Sequence, residues 1–225
     1  TIKLWAPLAE KVELIVFARD DQNREIGRVA MPRGERGVWS VKIGNDTPAG
    51  LTDPRGFYYQ FEVSNPGLAP KRVLDPYARS MAAVTVDAAG QSAGSSRDFV
   101  GKAAIVDVAA IGKKPAPAKI DSYSKREDAI IYEVHIRDFT SDPSIEKDLK
   151  HRWGSYRAFI DKLPYIKSMG VTHIQFLPVM AWYFGDETQM MQRELHYSAK
   201  QSNYNWGYDP QNYFSLDGAY SENPA

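Results

Sequence analysis

The densest group of residues that could carry chemistry lies between positions 202 and 214. It interleaves aromatic rings with amide groups and one carboxylate, Asp209. Aromatic faces cover the apolar C–H surface of a sugar ring, and Asn and Asp side chains bond its hydroxyl groups. The mixture favours a carbohydrate subsite, with a purely structural loop as the alternative. The aromatic residues that precede Phe214 in this group are Tyr204, Trp206, Tyr208 and Tyr213.

The histidines and other carboxylates do not form a catalytic or metal-binding pattern. His135 and His173 each fall in a predicted strand without an Asp, Glu or second His at ligand spacing, which favours histidines hydrogen-bonded in the core. We interpret Glu133 and Asp138, near the first of these strands, as structural. The mixed charges of residues 147–152 indicate a solvated surface. No metal site is therefore expected.

Composition restricts the class of protein. The 225 residues carry 28 Lys and Arg against 28 Asp and Glu, so the formal net charge is zero and nucleic acid is not an expected partner. The apolar runs are far too short to cross a bilayer, so we expect a soluble protein without a membrane partner. The absence of cysteine excludes disulfides and thiolate chemistry, and leaves the compartment open between the cytoplasm and the cell exterior.

The first part of the chain alternates apolar and polar side chains as half-buried strands do. The alternation is clearest in residues 12–16, 39–43 and 57–63, with turn-forming clusters of Pro, Gly, Asn and Asp between them. Residues 1–100 are therefore predicted to form an immunoglobulin-like β-sandwich. Residues 101–126 are poor in large apolar side chains, which predicts a linker with at most a short strand.

The pattern changes in residues 127–225. Apolar runs at 129–136 and 171–178 predict two strands, and apolar spacing of three to four residues between them predicts a helix. Ser155 is placed to cap this helix, and Pro164 should kink or divide it. The order strand, helix, strand indicates a parallel βαβ unit.

A complete barrel does not fit in the residues that remain. Residues 127–225 number 99, whereas a (β/α)₈ barrel needs about 250 residues. Two strands that open such a barrel would have unpaired edges and exposed apolar faces here. Because the sequence also starts with Thr rather than Met, we expect the chain to be a piece of a longer protein.

Five segments, in order along the chain, resemble the type I pullulanases, the α-1,6-debranching enzymes of the α-amylase superfamily. Residues 204–210, Tyr-Asn-Trp-Gly-Tyr-Asp-Pro, resemble the signature heptapeptide of this family. Two further segments resemble the entry and exit of its N-terminal starch-binding-like module, and two resemble the first strands of its catalytic barrel. These four are residues 3–7 with 12–14, 74–78, 131–139 and 170–179. The resemblance implies a β-sandwich followed by the first βαβ portion of a (β/α)₈ TIM barrel, which is incomplete in this chain.

The resemblance also implies site residues. In the family, the tyrosine of Gly-Tyr-Asp-Pro stacks on the sugar at the cleaved bond and the aspartate bonds the same ring, which assigns these roles to Tyr208 and Asp209. Trp206 and Tyr204 are expected either to contact substrate or to shape the loop. The nucleophile and the acid/base of the family come from later barrel strands, which we expect beyond Ala225. No catalytic residue is therefore expected within this chain.

The implied function is hydrolysis of α-1,6 linkages in pullulan, starch or glycogen-derived α-glucans by a retaining mechanism. No cofactor is expected to be required, and calcium is left open. The expected partners are an α-glucan polysaccharide or oligosaccharide and the remainder of the barrel, covalent or as a separate chain, without which we expect no activity. Two alternatives stay open: an isoamylase or glycogen-branching enzyme of the same superfamily, and a non-catalytic α-glucan-binding module.

The sandwich itself offers a possible second glucan contact. Trp5, Trp39, Tyr58 and Tyr59 would form a stacking platform if two or so of these rings were exposed on one face. Strand alternation puts Tyr58 and Tyr59 on opposite faces, so one of the two is expected at the surface. The alternative is a module that only supports the barrel.

Overall fold

The computed structural model describes residues 1–45, 50–84, 100–112, 114–121, 123–182, 186–187, 190 and 205–223. The strands in these ranges are β1 (Ile2–Trp5), β2 (Lys11–Phe17), β3 (Glu25–Ala30), β4 (Val38–Val41), β5 (Tyr58–Ser64), β6 (Lys71–Val73), β7 (Ala103–Ala104), β8 (Ile131–Val134) and β9 (His173–Phe176). The α-helices are α1 (Tyr156–Asp161) and α2 (Leu163–Ser168). Short 3₁₀ turns lie at Glu35–Gly37, Val108–Ile111, Arg126–Asp128, Asp138–Thr140, Pro143–Asp148 and Gly218–Tyr220.

An antiparallel β-sandwich occupies the first part of the chain. β1 pairs with β4 in one sheet, while β3, β2, β5 and β6 follow one another in a second sheet, in which β7 also pairs with β5. The face of β2 that carries Val12, Leu14 and Val16 is fully buried and packs in one cluster with Trp39 of β4 and Phe61 of β5. The predicted β-sandwich is confirmed.

The outer face of β2 and β5 is buried as well. Ile15 and Phe17 of β2 pack with Tyr58 of β5, and Ala82 and Ala104 belong to the same buried cluster. Ala104 belongs to β7 and pairs with Tyr58, so it lies beside Tyr58 in the same sheet. This part of the outer face is buried, whereas Lys11 at the start of β2 is exposed.

The predicted stacking platform in the sandwich is wrong. Tyr58 and Tyr59 are each 7% exposed, and Trp39 is also buried. Tyr59 lies between the sheets, whereas Tyr58 packs with Ile15 and Phe17 on the outer face of the second sheet. Trp5 is the exposed ring of the four, and its Nε1 donates a hydrogen bond to the carbonyl oxygen of Arg36 at 3.0 Å. One isolated ring does not make a platform.

β7 lies within the stretch predicted as a linker with at most a short strand. It pairs with Tyr58 and Tyr59 of β5. The next residue, Ile105, accepts a hydrogen bond from the Gly56 N–H at 2.8 Å. The start of residues 101–126 is thus attached to the sandwich, and the division into domains at 100 and 126 stays a prediction.

The second part of the chain contains the predicted strand, divided helix and parallel strand. β8 and β9 pair in parallel. The Oγ of Ser155 accepts a hydrogen bond from the Ala158 N–H at 3.0 Å and caps α1. Pro164 lies in the first turn of α2, where its missing N–H is not needed. No helix in the described ranges is long and apolar enough to span a membrane.

β8 and β9 are buried only in part. Val134 packs in a buried cluster with Phe159 and Ile166 of the two helices. Ile131 and Phe176 are exposed, and the described residues of this sheet form only two strands. Exposed apolar faces and unpaired edges were expected for this strand pair.

Candidate functional site

Residues 205–209 lie at the carboxyl ends of the two parallel strands. Gly207 has φ +82°, and a Cβ atom at this position would clash with the carbonyl oxygen of Pro178, which follows β9. Both the left-handed backbone and the close approach require glycine here. The middle of the heptapeptide is therefore held against the end of β9.

A buried hydrogen-bonded chain ties the same loop to the end of β8. The Nδ1 of His135, the residue after β8, accepts a hydrogen bond from the Asp138 N–H at 3.2 Å. Its Nε2 lies 3.1 Å from the Tyr220 hydroxyl, which donates to Oδ1 of Asn205 at 2.9 Å. Because Nδ1 accepts, the imidazole is neutral and its proton lies on Nε2, directed at Tyr220. His135 then donates to Tyr220, and Tyr220 donates to Asn205.

Burial favours this uncharged arrangement. Desolvation lowers the pKa of His135, and desolvation also raises the pKa of the Tyr220 hydroxyl. Both groups therefore stay neutral near pH 7. The prediction of a hydrogen-bonded core histidine is confirmed for His135, which acts as an anchor for the loop.

The loop that is anchored in this way presents its aromatic residues to solvent. Trp206 is 58% exposed and Tyr208 is 61% exposed, and Asp209 beside them is also exposed. Rings and a carboxylate in this arrangement are accessible to a sugar from solution. Their role as substrate contacts stays a prediction, and the fourth predicted residue, Tyr204, lies outside the described residues.

The remaining sequence candidates have structural partners. Glu133 accepts a hydrogen bond from Nε2 of Gln175 at 3.3 Å, across the parallel pair. Oδ1 of Asp138 lies 3.6 Å from Nδ1 of His135. Nδ1 of His173 lies 2.8 Å from Oγ1 of Thr172. These contacts agree with the structural interpretation of the two carboxylates and of His173.

The heptapeptide loop continues to residue 215, and this far end is fixed to the sandwich by polar side chains. Sequence reasoning missed these anchors. Nδ2 of Asn212 donates to the carbonyl oxygen of Asp75 at 3.0 Å, while its Oδ1 accepts from the N–H groups of Phe214 and Ser215 at 2.7 and 2.9 Å. An Asn that bonds the backbone two residues onward is a known turn signal. That signal could have identified the turn at Asn212, but not its distant partner.

Three further hydrogen bonds complete this junction. Oγ of Ser215 donates to the carbonyl oxygen of Ala78 at 2.7 Å. Oδ2 of Asp75 accepts from the Tyr59 hydroxyl at 2.6 Å, and its Oδ1 accepts from the Tyr77 N–H at 2.8 Å. Asp75 thus joins the sandwich core, the sandwich exit and the heptapeptide loop.

A pair of buried carboxyl groups lies beside this junction. Glu187 and Asp217 share a side-chain hydrogen bond. Burial raises the pKa of Glu187 well above its usual value, and it raises the pKa of Asp217 to about 6. Oε2 of Glu187 accepts from the Val84 N–H at 3.0 Å, and Oδ1 of Asp217 accepts from the Ala219 N–H at 2.9 Å. Burial therefore favours the neutral form of the Glu187 carboxyl beside Asp217.

This pair is unsuited to catalysis or metal binding. Both residues are buried, with Glu187 9% and Asp217 2% exposed, so a glycosidic bond cannot reach their carboxyl groups. The backbone groups that contact them are N–H donors, which do not ligate cations. Among the described residues there is no group of three or more His, Asp or Glu side chains that could hold a metal ion.

The location expected for the catalytic carboxyl groups is not tested by the described residues. These residues extend to Asn223, so Ala225, the position beyond which the nucleophile and the acid/base are expected, lies outside them. That both groups follow Ala225 therefore stays a prediction.

Comparison with known proteins connects both parts of the chain to one group of enzymes. Residues 1–78 match the family described as carbohydrate-binding module 48 (isoamylase N-terminal domain). The chain is 46% identical over 224 residues to Pullulanase A of Streptococcus pneumoniae serotype 4. The aligned region covers 99% of this chain and 17% of the relative. The chain thus spans less than a fifth of the length of that curated relative.

Solved structures give the same relationship. The catalytic module of the multi-modular glycogen-degrading pneumococcal virulence factor SpuA, in complex with an inhibitor, matches with a TM-score of 0.90 and 46% identity, over 99% of this chain and 31% of that one. The group B Streptococcus pullulanase SAP in complex with maltotetraose matches with a TM-score of 0.86 and 37% identity, over 99% and 27%. The resemblance found in the sequence is confirmed: this chain is similar to pullulanases, and its residues 1–78 match the carbohydrate-binding module 48 family.

Proposed function

We propose that this chain forms part of a pullulanase-type glycoside hydrolase that cleaves α-1,6-glucosidic branch linkages in pullulan, starch or glycogen-derived α-glucans by a retaining mechanism. The chain supplies the N-terminal module and part of the substrate cleft. Tyr208 stacks on the sugar at the cleaved bond, Asp209 bonds its hydroxyl groups, and Trp206 and Tyr204 either contact the substrate or shape the loop.

The position of the heptapeptide loop is the observation that carries this proposal. Gly207 holds the loop against the carboxyl end of β9, and Asn205 links it through Tyr220 to His135 at the carboxyl end of β8. We propose that β8 and β9 are the first strands of a (β/α)₈ barrel, whose active sites lie at the carboxyl ends of the strands. The loop is then at the mouth of the barrel.

We propose that the catalytic carboxyl groups come from a segment beyond Ala225. Among the described residues, Glu187 and Asp217 are buried, and Glu133 and Asp138 have structural partners. The exposed face of β8 and β9 fits a partner that supplies further barrel strands, either covalently or as a separate chain. We therefore expect the 225-residue chain alone to be inactive.

Hydrolysis of pullulan tests this function. The complete protein encoded by the gene should release new reducing ends from pullulan, and the 225-residue chain alone should release none. Tyr208→Ala in the complete protein should lower kcat/KM by at least about tenfold, because it removes the ring that positions the sugar. Tyr165→Ala, at an exposed tyrosine of α2, is the matched control and should have no effect.

The products separate the proposal from its alternatives. Activity on glycogen or amylopectin without activity on pullulan would favour the isoamylase alternative, and formation of new branches would favour a branching enzyme. The match of residues 1–78 to a carbohydrate-binding family supports a second candidate, a non-catalytic α-glucan-binding module. Retardation of the chain in an amylopectin gel, together with a complete protein that hydrolyses none of these glucans, would favour that candidate.

A further inference from the structure

Two aromatic rings from distant parts of the sequence stack at the surface, where the sandwich meets the heptapeptide loop. The ring centroids of Tyr77 and Phe214 are 5.2 Å apart with an interplanar angle of 29°. Tyr77 is 70% exposed and Phe214 is 47% exposed. The guanidinium of Arg79 lies over the Phe214 ring, 5.5 Å from its centroid. We call these three residues the aromatic platform.

Hydrogen bonds fix the backbone under both rings. The Tyr77 N–H donates to Oδ1 of Asp75 at 2.8 Å, and the Phe214 N–H donates to Oδ1 of Asn212 at 2.7 Å. The same Asn212 donates from Nδ2 to the Asp75 carbonyl oxygen at 3.0 Å. The two ring-bearing segments are therefore locked to each other before any ligand arrives, which lowers the entropic cost of binding.

We propose that the aromatic platform binds a second stretch of α-glucan, outside the candidate subsite at Tyr208 and Asp209. A pyranose ring would cover the exposed Tyr77 ring with its C–H face, and the Arg79 guanidinium would donate hydrogen bonds to neighbouring hydroxyls. The choice of an α-glucan rests on the proposed function. It also fits the group B streptococcal relative that was solved with maltotetraose.

The platform and the candidate subsite are close enough to act on one polymer. Tyr208 and Phe214 are six residues apart, so their Cα atoms lie at most about 22 Å from each other. Two weak contacts on one branched molecule bind it more tightly than either contact alone, because the second contact forms within a complex that is already bound. The platform would therefore hold one branch of the glucan while the cleft engages another.

Affinity electrophoresis in amylopectin tests the platform in the 225-residue chain. Tyr77→Ala and Arg79→Ala should each weaken retardation at least about twofold, whereas Tyr77→Phe keeps the ring and should match the parent. Tyr165→Ala is the control for loss of an exposed tyrosine. The urea midpoint of each variant shows that it is folded. Folded Tyr77→Ala and Arg79→Ala variants that migrate like the parent would overturn the proposal.

Chemical modification asks whether the ring is accessible in the complete protein. Tetranitromethane should nitrate Tyr77, and maltotetraose should slow this nitration without slowing that of Tyr165. A Tyr77 that is not nitrated in the absence of sugar, or is nitrated equally fast in its presence, would overturn the platform. Pullulan hydrolysis is read separately, so failure of the platform and failure of the debranching activity give different results.

Discussion

The side chain of Asn212 donates a hydrogen bond from Nδ2 to the backbone carbonyl of Asp75 across 137 residues of sequence, at 3.0 Å. Both groups are buried. The same side chain caps two backbone N–H groups of its own turn through Oδ1. One residue therefore determines both the shape of the loop end and its attachment to the sandwich.

Replacing this side chain should destabilise the chain measurably. Asn212→Ala leaves a buried carbonyl oxygen and two N–H groups without partners, so we expect the free energy of unfolding to fall by about 2 to 3 kcal/mol. Urea denaturation followed by tryptophan fluorescence measures the loss. Asn223→Ala, at an exposed position, is the control and should change it by less than about 0.5 kcal/mol. Equal effects of the two substitutions would contradict the anchoring role of Asn212.

The glycine of the heptapeptide offers a matched pair of substitutions. Gly207 and Gly67 both have a left-handed backbone, with φ +82° and +70°, but a Cβ would clash with Pro178 at Gly207 and would meet nothing within 4 Å at Gly67. Gly67→Ala should cost about 1 kcal/mol of unfolding free energy from backbone strain alone. Gly207→Ala should cost at least about 1 kcal/mol more, and should weaken retardation in amylopectin because it displaces the loop. Similar losses in the two variants would show that the contact with Pro178 is not tight.

Local patterns in the sequence predicted the elements but not the contacts between them. Alternation in β2 indicated a strand, and Ser155 and Pro164 marked the start and the division of the helical segment, because these signals act over a few residues. Tyr58 is buried in a cluster with Ala82 and Ala104, which were not recognised as core residues because small side chains carry little hydrophobic signal. The burial of Tyr58 is therefore set by the path of the chain.

In the candidate site as well, local signals predicted some residues but not the long-range contacts. The exposed part of the loop, with Tyr208 and Asp209, was identified from residue types and from the family resemblance. Its anchors Asn205 and Asn212 were not, since each bonds a group far away in the sequence. A polar side chain with a distant partner gives no periodic signal. The anchors could only be found once the chain was folded.

Stability should depend on pH through the carboxyl pair of Glu187 and Asp217. Both pKa values are raised by burial, so their contribution is complete below the unfolded values, 4.5 and 3.8, and is lost as pH rises through the folded values, about 6 for Asp217 and well above 4.5 for Glu187. Glu187→Gln keeps a hydrogen-bond donor at this position, but its amide group does not lose a proton as the pH rises. Between about pH 5 and about pH 8, the parent should lose at least about 1 kcal/mol of unfolding free energy relative to this variant.

The parent must be compared with a variant because the protonation of His135 changes the stability with pH in the opposite direction. Its pKa is lowered by burial, so its contribution is complete above the usual value of 6.5 and is lost as pH falls below it. Glu133→Gln, at an exposed carboxylate, leaves His135 unchanged and serves as the control. It should follow the pH dependence of the parent. If Glu187→Gln also follows it, the proton is not shared by the buried pair.

The hydrogen-bonded chain from His135 to the loop can be cut by removing one hydroxyl group. Tyr220→Phe leaves Nε2 of His135 and Oδ1 of Asn205 without their shared partner, so we expect a loss of about 1 to 3 kcal/mol in unfolding free energy. Amide hydrogen exchange in residues 205–209 should accelerate as well, because the loop loses its attachment to β8. Tyr156→Phe is the matched control, since that hydroxyl makes only longer hydrogen bonds, of 3.3 and 3.4 Å, to two carbonyl oxygens. An exchange rate in residues 205–209 that rises equally in both variants would mean that the loop is held by general packing rather than by this chain.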